Sequence, residues 1–238
     1  NQRALIDALV ATGKPVVLVL FTGRPLALTH EAGKVTSLLN VWFGGTEAGN
    51  AVADVLFGTV NPSGKLAVTF PRNVGQVPIF YNHKNTGRPE GPDQIGQRFR
   101  SNYLDVSNDP LFPFGFGLSY TNFSYSDLQL SKTTLRGTET LTASVKLSNT
   151  GAYDGAEVVQ LYIRDVVGSS TRPVKELKGF QKVFLKKGES KTITFNITPE
   201  DLKFYNYDLK YDWEAGDFDI MVGGSSATLK TGRVNWGK

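Results

Sequence analysis

Four residues within one long polar segment carry the side chains best suited to binding. The segment spans residues 81–109 and has little hydrophobic periodicity; the four are Arg98, Arg100, Tyr103 and Asp105. A guanidinium group can hold a carboxylate through two parallel hydrogen bonds, and an aromatic ring offers a face for stacking. A loop this long in a compact protein is usually functional or a disordered linker. We therefore treat these residues as binding candidates; the alternative is that they are solvated or pair with one another.

Covalent and metal chemistry have no candidate residues. Cysteine is absent, and the two histidines, His30 and His83, lie far apart in the sequence. No GxSxG, HExxH or P-loop motif occurs. The stretch "GGTEAGNA" (44–51) lacks the GxGxxG spacing, and glycines that open a helix more often serve close packing. The sequence thus predicts no catalytic triad, no metal site and no cofactor.

The charge balance also excludes two classes of partner. The chain has 238 residues, 26 Lys and Arg against 22 Asp and Glu, and a net charge of +4. The charges are spread over both halves without a basic tail or a single-sign block, which argues against nucleic acid or an anionic membrane as partner. No run approaches the ~20 apolar residues that a membrane-spanning helix needs. We expect neither a nucleic-acid nor a membrane partner.

The first half alternates helix and strand patterns. Apolar spacing predicts a helix in residues 2–12, strands at 15–21 and 35–43, and a helix within 44–58, with 65–70 as a further strand candidate. Such βα alternation indicates a parallel sheet, whose strands are normally covered on both faces. Two or three strands are fewer than the usual 4 to 6. The α/β part is therefore expected to be incomplete, and the chain to be cut from a longer one.

The second half changes to a period of two. Short alternating segments recur about every ten residues, at 139–151, 157–165, 178–185, 191–197 and 217–224. This pattern predicts an antiparallel β-sandwich. A short helical turn is expected within residues 198–206.

The run "LFPFGFGLSYT" (111–121) fits neither a helix nor a strand. Its rings, Phe112, Phe114, Phe116 and Tyr120, are separated by glycines and a proline. We expect these rings to wedge between the two halves, because glycines let the backbone turn sharply between them. A role in stacking against a ligand is the alternative.

Three stretches resemble successive signatures of glycoside hydrolase family 3, and most of all its periplasmic β-glucosidases of bacteria. They are "VWFGGTEAGNAVADVLFGTVNPSGKLAVTFP" (41–71), "PLFPFGFGLSYTNF" (110–123), and "NTGAYDGAEVVQLYIRD" followed by "RPVKELKGFQKVFLKKGES" (149–190). The resemblance implies a barrel, then an α/β sandwich, then a fibronectin type III-like domain. Residues 1–122 would be the end of the α/β sandwich domain, and 123–238 the fibronectin type III-like domain. The segment 81–109 would lie toward the domain interfaces.

The same resemblance implies an activity whose catalytic groups lie outside this chain. Family members are retaining, exo-acting glycosidases with two carboxylates about 5 to 5.5 Å apart. The nucleophile follows a serine on the barrel, whereas the only Ser-Asp pair here is Ser126–Asp127, at the entry to the β-sandwich. The acid/base glutamate is expected upstream of residue 1. We therefore assign no catalytic residue here, and expect as partners the N-terminal barrel of the same polypeptide and an oligosaccharide or β-glucoside, in the periplasm.

A different class of function remains open: a non-catalytic carbohydrate-binding or adhesion module. It predicts an exposed line of aromatic side chains, for which Tyr205, Tyr207, Tyr211 and Trp213 are the candidates. Alternating Tyr and Trp residues more often pack against a neighbouring domain. A nucleotide-binding function ranks third, because it rests on βα alternation alone.

Overall fold

The computed structural model describes residues 1–89 and 95–238, so part of the segment 81–109 lies outside the described residues. Its helices are α1 (Gln2–Val10), α2 (Thr29–Ala32), α3 (Ala48–Leu56) and α4 (Pro199–Leu202), with a 3-10 turn at Val74–Gln76. Its first strands are β1 (Val17–Leu20), β2 (Ser37–Asn40), β3 (Phe123–Tyr125), β4 (Gln129–Leu130), β5 (Thr134–Arg136), β6 (Leu141–Asn149) and β7 (Gly155–Asp165). The remaining strands are β8 (Glu176–Leu185), β9 (Ser190–Ile197), β10 (Phe204–Tyr205), β11 (Tyr211–Asp212), β12 (Gly216–Gly223) and β13 (Leu229–Gly237). The predicted combination of an α/β region and an antiparallel β-sandwich is confirmed.

The α/β region contains one small parallel sheet. Strands β1 and β2 pair in parallel, as the βα alternation predicts. The described residues do not cover these strands on both faces, since Val17 is 48% exposed. Phe21 and Phe43 at the strand ends are also exposed, and helices α1 and α3 contain no buried residue. The reason is that two strands and two short helices offer too little surface to enclose one another.

Residues 65–70 do not extend this sheet, contrary to the expectation of a further strand. They run antiparallel to residues 111–116 through backbone hydrogen bonds. Leu66 N–H donates to the Phe116 carbonyl at 2.8 Å, and Phe70 N–H donates to the Phe112 carbonyl at 2.9 Å. Only Phe70 and Phe112 form a bridge of strand type, because the proline and glycines of 111–117 interrupt a regular ladder. The run 111–117 is thereby fixed to the α/β region.

The β-sandwich is built from two sheets. Strands β5, β13, β12, β7 and β8 form one sheet in that spatial order, and β3, β4, β6 and β9 form the other around β6. In β6 the alternation predicted from sequence is observed, since Leu141, Ala143, Val145 and Leu147 are all at most 1% exposed. Their side chains meet those of β7, β12 and β13 in one continuous hydrophobic core. The sequence pattern thus defines the inner face correctly.

The sequence reasoning missed strand β13, although it lies between β5 and β12. Its segment "LKTGRVNWG" places only Val234 and Trp236 among the fully buried residues. Two apolar positions beside a glycine and an arginine are too few for a period of two to be recognised. Helix α4 was expected, and Thr198 and Asp201 form a capping box ahead of Pro199 that fixes its start.

Truncating a core side chain of β6 tests the observed burial. Leu147→Ala should lower the free energy of unfolding by about 2–5 kcal/mol, because it leaves a cavity between the two sheets. The matched control is Lys146→Ala, whose side chain is exposed on the same strand and should change stability by no more than about 0.5 kcal/mol. Urea denaturation followed by tryptophan fluorescence measures both variants. Equal effects of the two substitutions would contradict the assigned inner face.

Candidate functional site

The segment 81–109 is attached to the β-sandwich at its start. The Tyr81 ring stacks on Phe114 at a centroid distance of 4.3 Å and meets Tyr162 edge-on at 5.7 Å. Its hydroxyl oxygen accepts a hydrogen bond from Leu177 N–H, and the next anchor is the His83 carbonyl, which accepts from Val174 N–H at 2.9 Å. The beginning of the segment therefore follows the loop between β7 and β8.

Gln76 attaches the other end of the segment to the α/β region. Only 2% of Gln76 is exposed, and its amide nitrogen donates to the Ser107 carbonyl at 2.8 Å. Its amide oxygen accepts from Arg72 N–H at 2.6 Å. The Arg72 side chain in turn donates to the Asp109 carbonyl. Hydrogen bonds therefore fix both ends of the segment, one end to the β-sandwich and the other to the α/β region.

The four candidate binding residues lie on the outer part of this segment. Arg98, Arg100, Tyr103 and Asp105 are all exposed. Arg100 donates a long hydrogen bond of 3.4 Å to the Pro89 carbonyl, and the Tyr103 carbonyl accepts from Gly96 N–H at 3.1 Å. Among the ion pairs of the described residues none includes these side chains. The backbone therefore folds on itself while the candidate side chains face outward.

Exposed apolar side chains lie between the candidate residues. Phe99 is 79% exposed and Leu104 is 86% exposed, and Phe99 has a positive φ of 62°. A phenylalanine in this backbone conformation is uncommon and marks strain. Outward charges interleaved with outward apolar groups form a surface suited to contact with another body, rather than an ordinary solvated loop.

Gln160 of β7 joins the α/β region to the β-sandwich, and the sequence reasoning missed it. It is 4% exposed, and its amide nitrogen donates to the carbonyls of Gly115 and Gly224 at 3.2 and 2.7 Å. Its amide oxygen accepts from the Tyr162 hydroxyl at 2.5 Å. Burial raises the pKa of the Tyr162 hydroxyl, so this donor stays protonated at neutral pH. A glutamine among apolar neighbours in "EVVQLYIRD" was the available signal.

A buried ion pair crosses the same interface. Lys65 Nζ lies 3.1 Å from a carboxylate oxygen of Glu157, and the side chains are 13% and 7% exposed. Lys65 also donates to the Gly117 carbonyl at 2.8 Å, and the Tyr125 hydroxyl donates to Glu157 at 3.2 Å. Burial, and after it the Glu157 charge, raises the pKa of Tyr125. Both oxygens of Glu157 therefore have partners, as a buried carboxylate requires.

The rings of the run 111–121 pack mostly within the α/β region. Phe112 stacks on Phe116 at 5.3 Å and meets Phe70 edge-on at 6.2 Å. Phe114 stacks on Tyr81, which in turn meets Tyr162 of the β-sandwich. Tyr120 is 46% exposed, and its hydroxyl donates to the Val55 carbonyl at 2.7 Å. Phe114 therefore lies where the prediction placed the rings, between the two regions, whereas Phe112 and Phe116 pack on α/β partners.

A buried carboxylate lies beneath the β7–β8 loop, next to the start of the segment 81–109. Asp165 is 7% exposed, and its Oδ2 atom lies 3.9 Å from Arg172 Nε. Burial raises the pKa of Asp165, although the positive Arg172 opposes the shift. Arg172 is also held by Glu176 at 2.6 Å and covers the Phe204 ring. These contacts shape the loop that receives His83, while Asp165 Oδ2 and Arg172 Nε are buried without a hydrogen-bond partner among the described residues.

The aromatic line expected for a carbohydrate-binding module is only partly present. Tyr205, Tyr207 and Tyr211 are 68%, 81% and 59% exposed, respectively. The inclusion of Trp213 in this line is wrong, because Trp213 is 8% exposed and packs edge-on against Trp236 at 6.3 Å. Trp213 faces the core because the chain turns back toward the sandwich directly after β11. Three tyrosines on one short hairpin remain.

Two further classes of site were sought in residues 1–89 and 95–238. No cluster of His, Cys, Asp and Glu side chains there is arranged to hold a metal ion. No helix of this described part is long and apolar enough to cross a membrane.

Comparison with known proteins defines the family. Residues 1–120 match the sequence profile of the glycosyl hydrolase family 3 C-terminal domain. Residues 157–226 match that of the fibronectin type III-like domain. The chain therefore belongs to glycosyl hydrolase family 3, and the β-sandwich is its fibronectin type III-like part.

Individual relatives match almost the whole chain. It is 54% identical over 232 residues to a periplasmic beta-glucosidase of Salmonella typhimurium, covering 98% of this chain and 30% of the relative. A beta-xylosidase of Formosa agariphila is 48% identical, with 97% of this chain and 31% of the relative covered. A beta-glucosidase from Listeria innocua in complex with isofagomine superposes with a TM-score of 0.95 at 44% identity, covering 100% of this chain and 33% of that one. The chain thus spans about a third of the length of its relatives.

The domain interface can be tested through Gly115, which has a φ of +79° and whose added Cβ would lie 2.1 Å from Gln160 Oε1. Gly115→Ala should destabilise the protein by about 1–3 kcal/mol through backbone strain, and further through the clash with Gln160. Gly188→Ala is the matched control, because Gly188 has a φ of +77° and no atom within 4 Å of the added Cβ. Chemical denaturation should give a clearly larger loss for position 115. Equal losses would show that the Gln160 contact does not constrain the interface.

Proposed function

We propose that this chain is the C-terminal portion of a retaining, exo-acting β-glucosidase that removes terminal non-reducing β-D-glucosyl residues. Residues 1–122 and 123–238 are its α/β and fibronectin type III-like domains. The observation that carries the proposal is the superposition of the entire chain on the Listeria innocua beta-glucosidase, with both regions in one arrangement. The same enzyme has been crystallised with glucose and, as a mutant, with laminaribiose.

The catalytic carboxylates of this enzyme belong to the part of the polypeptide that precedes residue 1. A retaining mechanism needs two carboxyl groups about 5 to 5.5 Å apart. Asp127, the only aspartate that follows a serine, has a side chain that is 87% exposed and pairs with Lys230 at 3.0 Å. An exposed, ion-paired carboxylate on the surface of the β-sandwich has no enclosed site in which to attack a sugar. The chain alone is therefore inactive.

The partner that completes the enzyme is an N-terminal barrel, and the α/β region offers a surface for it. Phe21 and Phe43 are 64% and 86% exposed, and Phe80 is 58% exposed. Exposed apolar groups of this number are costly in water and typical of an interface. The candidate residues of the segment 81–109 would form one wall of the site at this junction, with Arg98, Arg100 and Asp105 reaching polar groups and Tyr103 offering a ring.

The proposed location is the periplasm, by analogy with the periplasmic beta-glucosidase of Salmonella typhimurium. A β-glucosidase that trims oligosaccharides in the periplasm has no need of cofactors, and its partners would be the barrel and the β-glucoside alone. A carbohydrate-binding or adhesion module without catalysis is the second candidate. It is weaker, because the expected aromatic line loses Trp213 to the core.

A hybrid enzyme tests the proposed activity. The N-terminal part of the Salmonella relative, joined to this chain, should hydrolyse an aryl β-glucoside faster than an aryl β-xyloside, with a turnover number in the usual range of about 1–10³ s⁻¹. The chain alone should release no product. Asp127→Asn in the hybrid is the matched control and should leave kcat unchanged. Turnover by the chain alone, loss of activity in the control, or a folded hybrid without β-glucosidase activity would refute the proposal.

The wall residues can be tested in the same hybrid. Arg100→Ala and Tyr103→Ala should lower kcat/KM by about tenfold, equivalent to about 1.4 kcal/mol of lost transition-state stabilisation. Lys210→Ala, an exposed substitution on the β-sandwich, serves as control and should retain the parent value. Steady-state kinetics on an aryl β-glucoside distinguish the outcomes. Unchanged kcat/KM in both loop variants would place the segment outside the site.

A further inference from the structure

A cleft lies between the α/β region and the β-sandwich, and its lining includes no described residue of the segment 81–109. It has a volume of about 570 Å³, and its lining includes Phe57, Asn61, Tyr120, Tyr153 and Asp154. Pockets that take whole small molecules typically measure about 300–1,000 Å³.

Asn61 fixes the distance between the two walls. One wall is residues 57–61, which follow α3, and the other is residues 151–154, between β6 and β7. The Asn61 amide nitrogen donates to the Asp154 carbonyl at 2.8 Å. Its amide oxygen accepts from the Ser119 hydroxyl at 2.9 Å and from Tyr120 N–H at 2.8 Å. Because one side chain joins both walls to the floor, the cleft is pre-formed.

The second wall is also held from beneath. Asn149 is 2% exposed, and its amide nitrogen donates to the Tyr153 carbonyl at 2.8 Å. The Asn149 amide oxygen accepts from the Thr121 hydroxyl at 2.6 Å. One carboxylate oxygen of Asp154 accepts from Lys187 N–H at 2.8 Å. The loop that carries Tyr153 and Asp154 therefore loses little conformational freedom when a ligand binds.

The exposed groups of the cleft are aromatic rings and neutral or negative polar atoms. Phe57 and Tyr153 on opposite walls are 87% and 62% exposed, and Tyr120 at the floor is 46% exposed. Asp154 Oδ2 and the Tyr153 hydroxyl can make hydrogen bonds to a ligand, and the lining contains no lysine or arginine. A cleft without a positive charge is unsuited to phosphates or carboxylates.

We propose that this cleft is a saccharide-binding site. The apolar C–H faces of a pyranose ring would stack on Phe57 and Tyr153, while its hydroxyls donate to Asp154 and accept from tyrosine. A quaternary ammonium ion is the other ligand that aromatic walls can bind, but it needs ring faces within about 6 Å of its charge. The volume between the two walls suits a disaccharide better than such a small cation. The choice of a β-linked gluco-oligosaccharide rests on the proposed function.

Calorimetric titration of the 238-residue chain with laminaribiose and cellobiose tests the site. Saturable binding is expected, and Phe57→Ala and Tyr153→Ala should each weaken it by about tenfold, the usual effect of truncating an aromatic anchor. Tyr207→Ala is the matched control, since Tyr207 is 81% exposed and does not line the cleft. All three residues are exposed, so thermal unfolding midpoints should match the parent chain.

Three outcomes would overturn the proposal: no saturable binding, binding that survives both ring substitutions, and displacement of the sugar by tetramethylammonium at lower concentration. The experiment is independent of hydrolysis, because it needs no barrel. Binding by the chain together with an inactive hybrid would refute the proposed function and leave this site standing.

Discussion

The hydrogen bonds of Gln160 determine how the two regions sit against each other. A buried amide must satisfy its donors and its acceptor, and an unpaired one costs about 1–3 kcal/mol. Gln160 meets this constraint by reaching carbonyls on both sides of the interface, at Gly115 and Gly224, while Tyr162 supplies the third partner. Because these partners have defined directions, only one docking of the run 111–117 on β7 fits. Nonspecific apolar packing alone would permit several docking arrangements.

This constraint explains the architecture of the site. Residues 65–70 and 111–116 pair by backbone hydrogen bonds, so the docking of 111–117 positions the α/β region as well. The segment 81–109 is then attached at Tyr81 and Gln76, and its charged and apolar side chains point away from both anchors. The arrangement leaves Arg98, Arg100, Tyr103 and Asp105 exposed.

Sequence reasoning predicted what depends on local patterns. The alternation in β6, the short helical turn within residues 198–206 and the parallel pairing of β1 with β2 follow from local side-chain patterns. The sequence-based predictions failed where the structure of a segment depends on a partner that is distant in the sequence. Residues 65–70 have a strand-like composition, yet their partner is a proline- and glycine-rich run some forty residues later. Trp213 alternates with exposed tyrosines, yet it is buried because it packs against Trp236. Trp236 lies in β13, a strand with weak alternation.

The pairing of residues 65–70 with 111–116, combined with the Gln160 contacts, has a consequence for protein engineering. A fibronectin type III-like domain exchanged between relatives at the chain boundary near residue 122 would be separated from the segment that its β7 strand recognises. A chimera that retains its native docking must carry the aromatic run and its antiparallel partner together with the sandwich. The part of this chain that must be exchanged as a unit therefore extends beyond the β-sandwich.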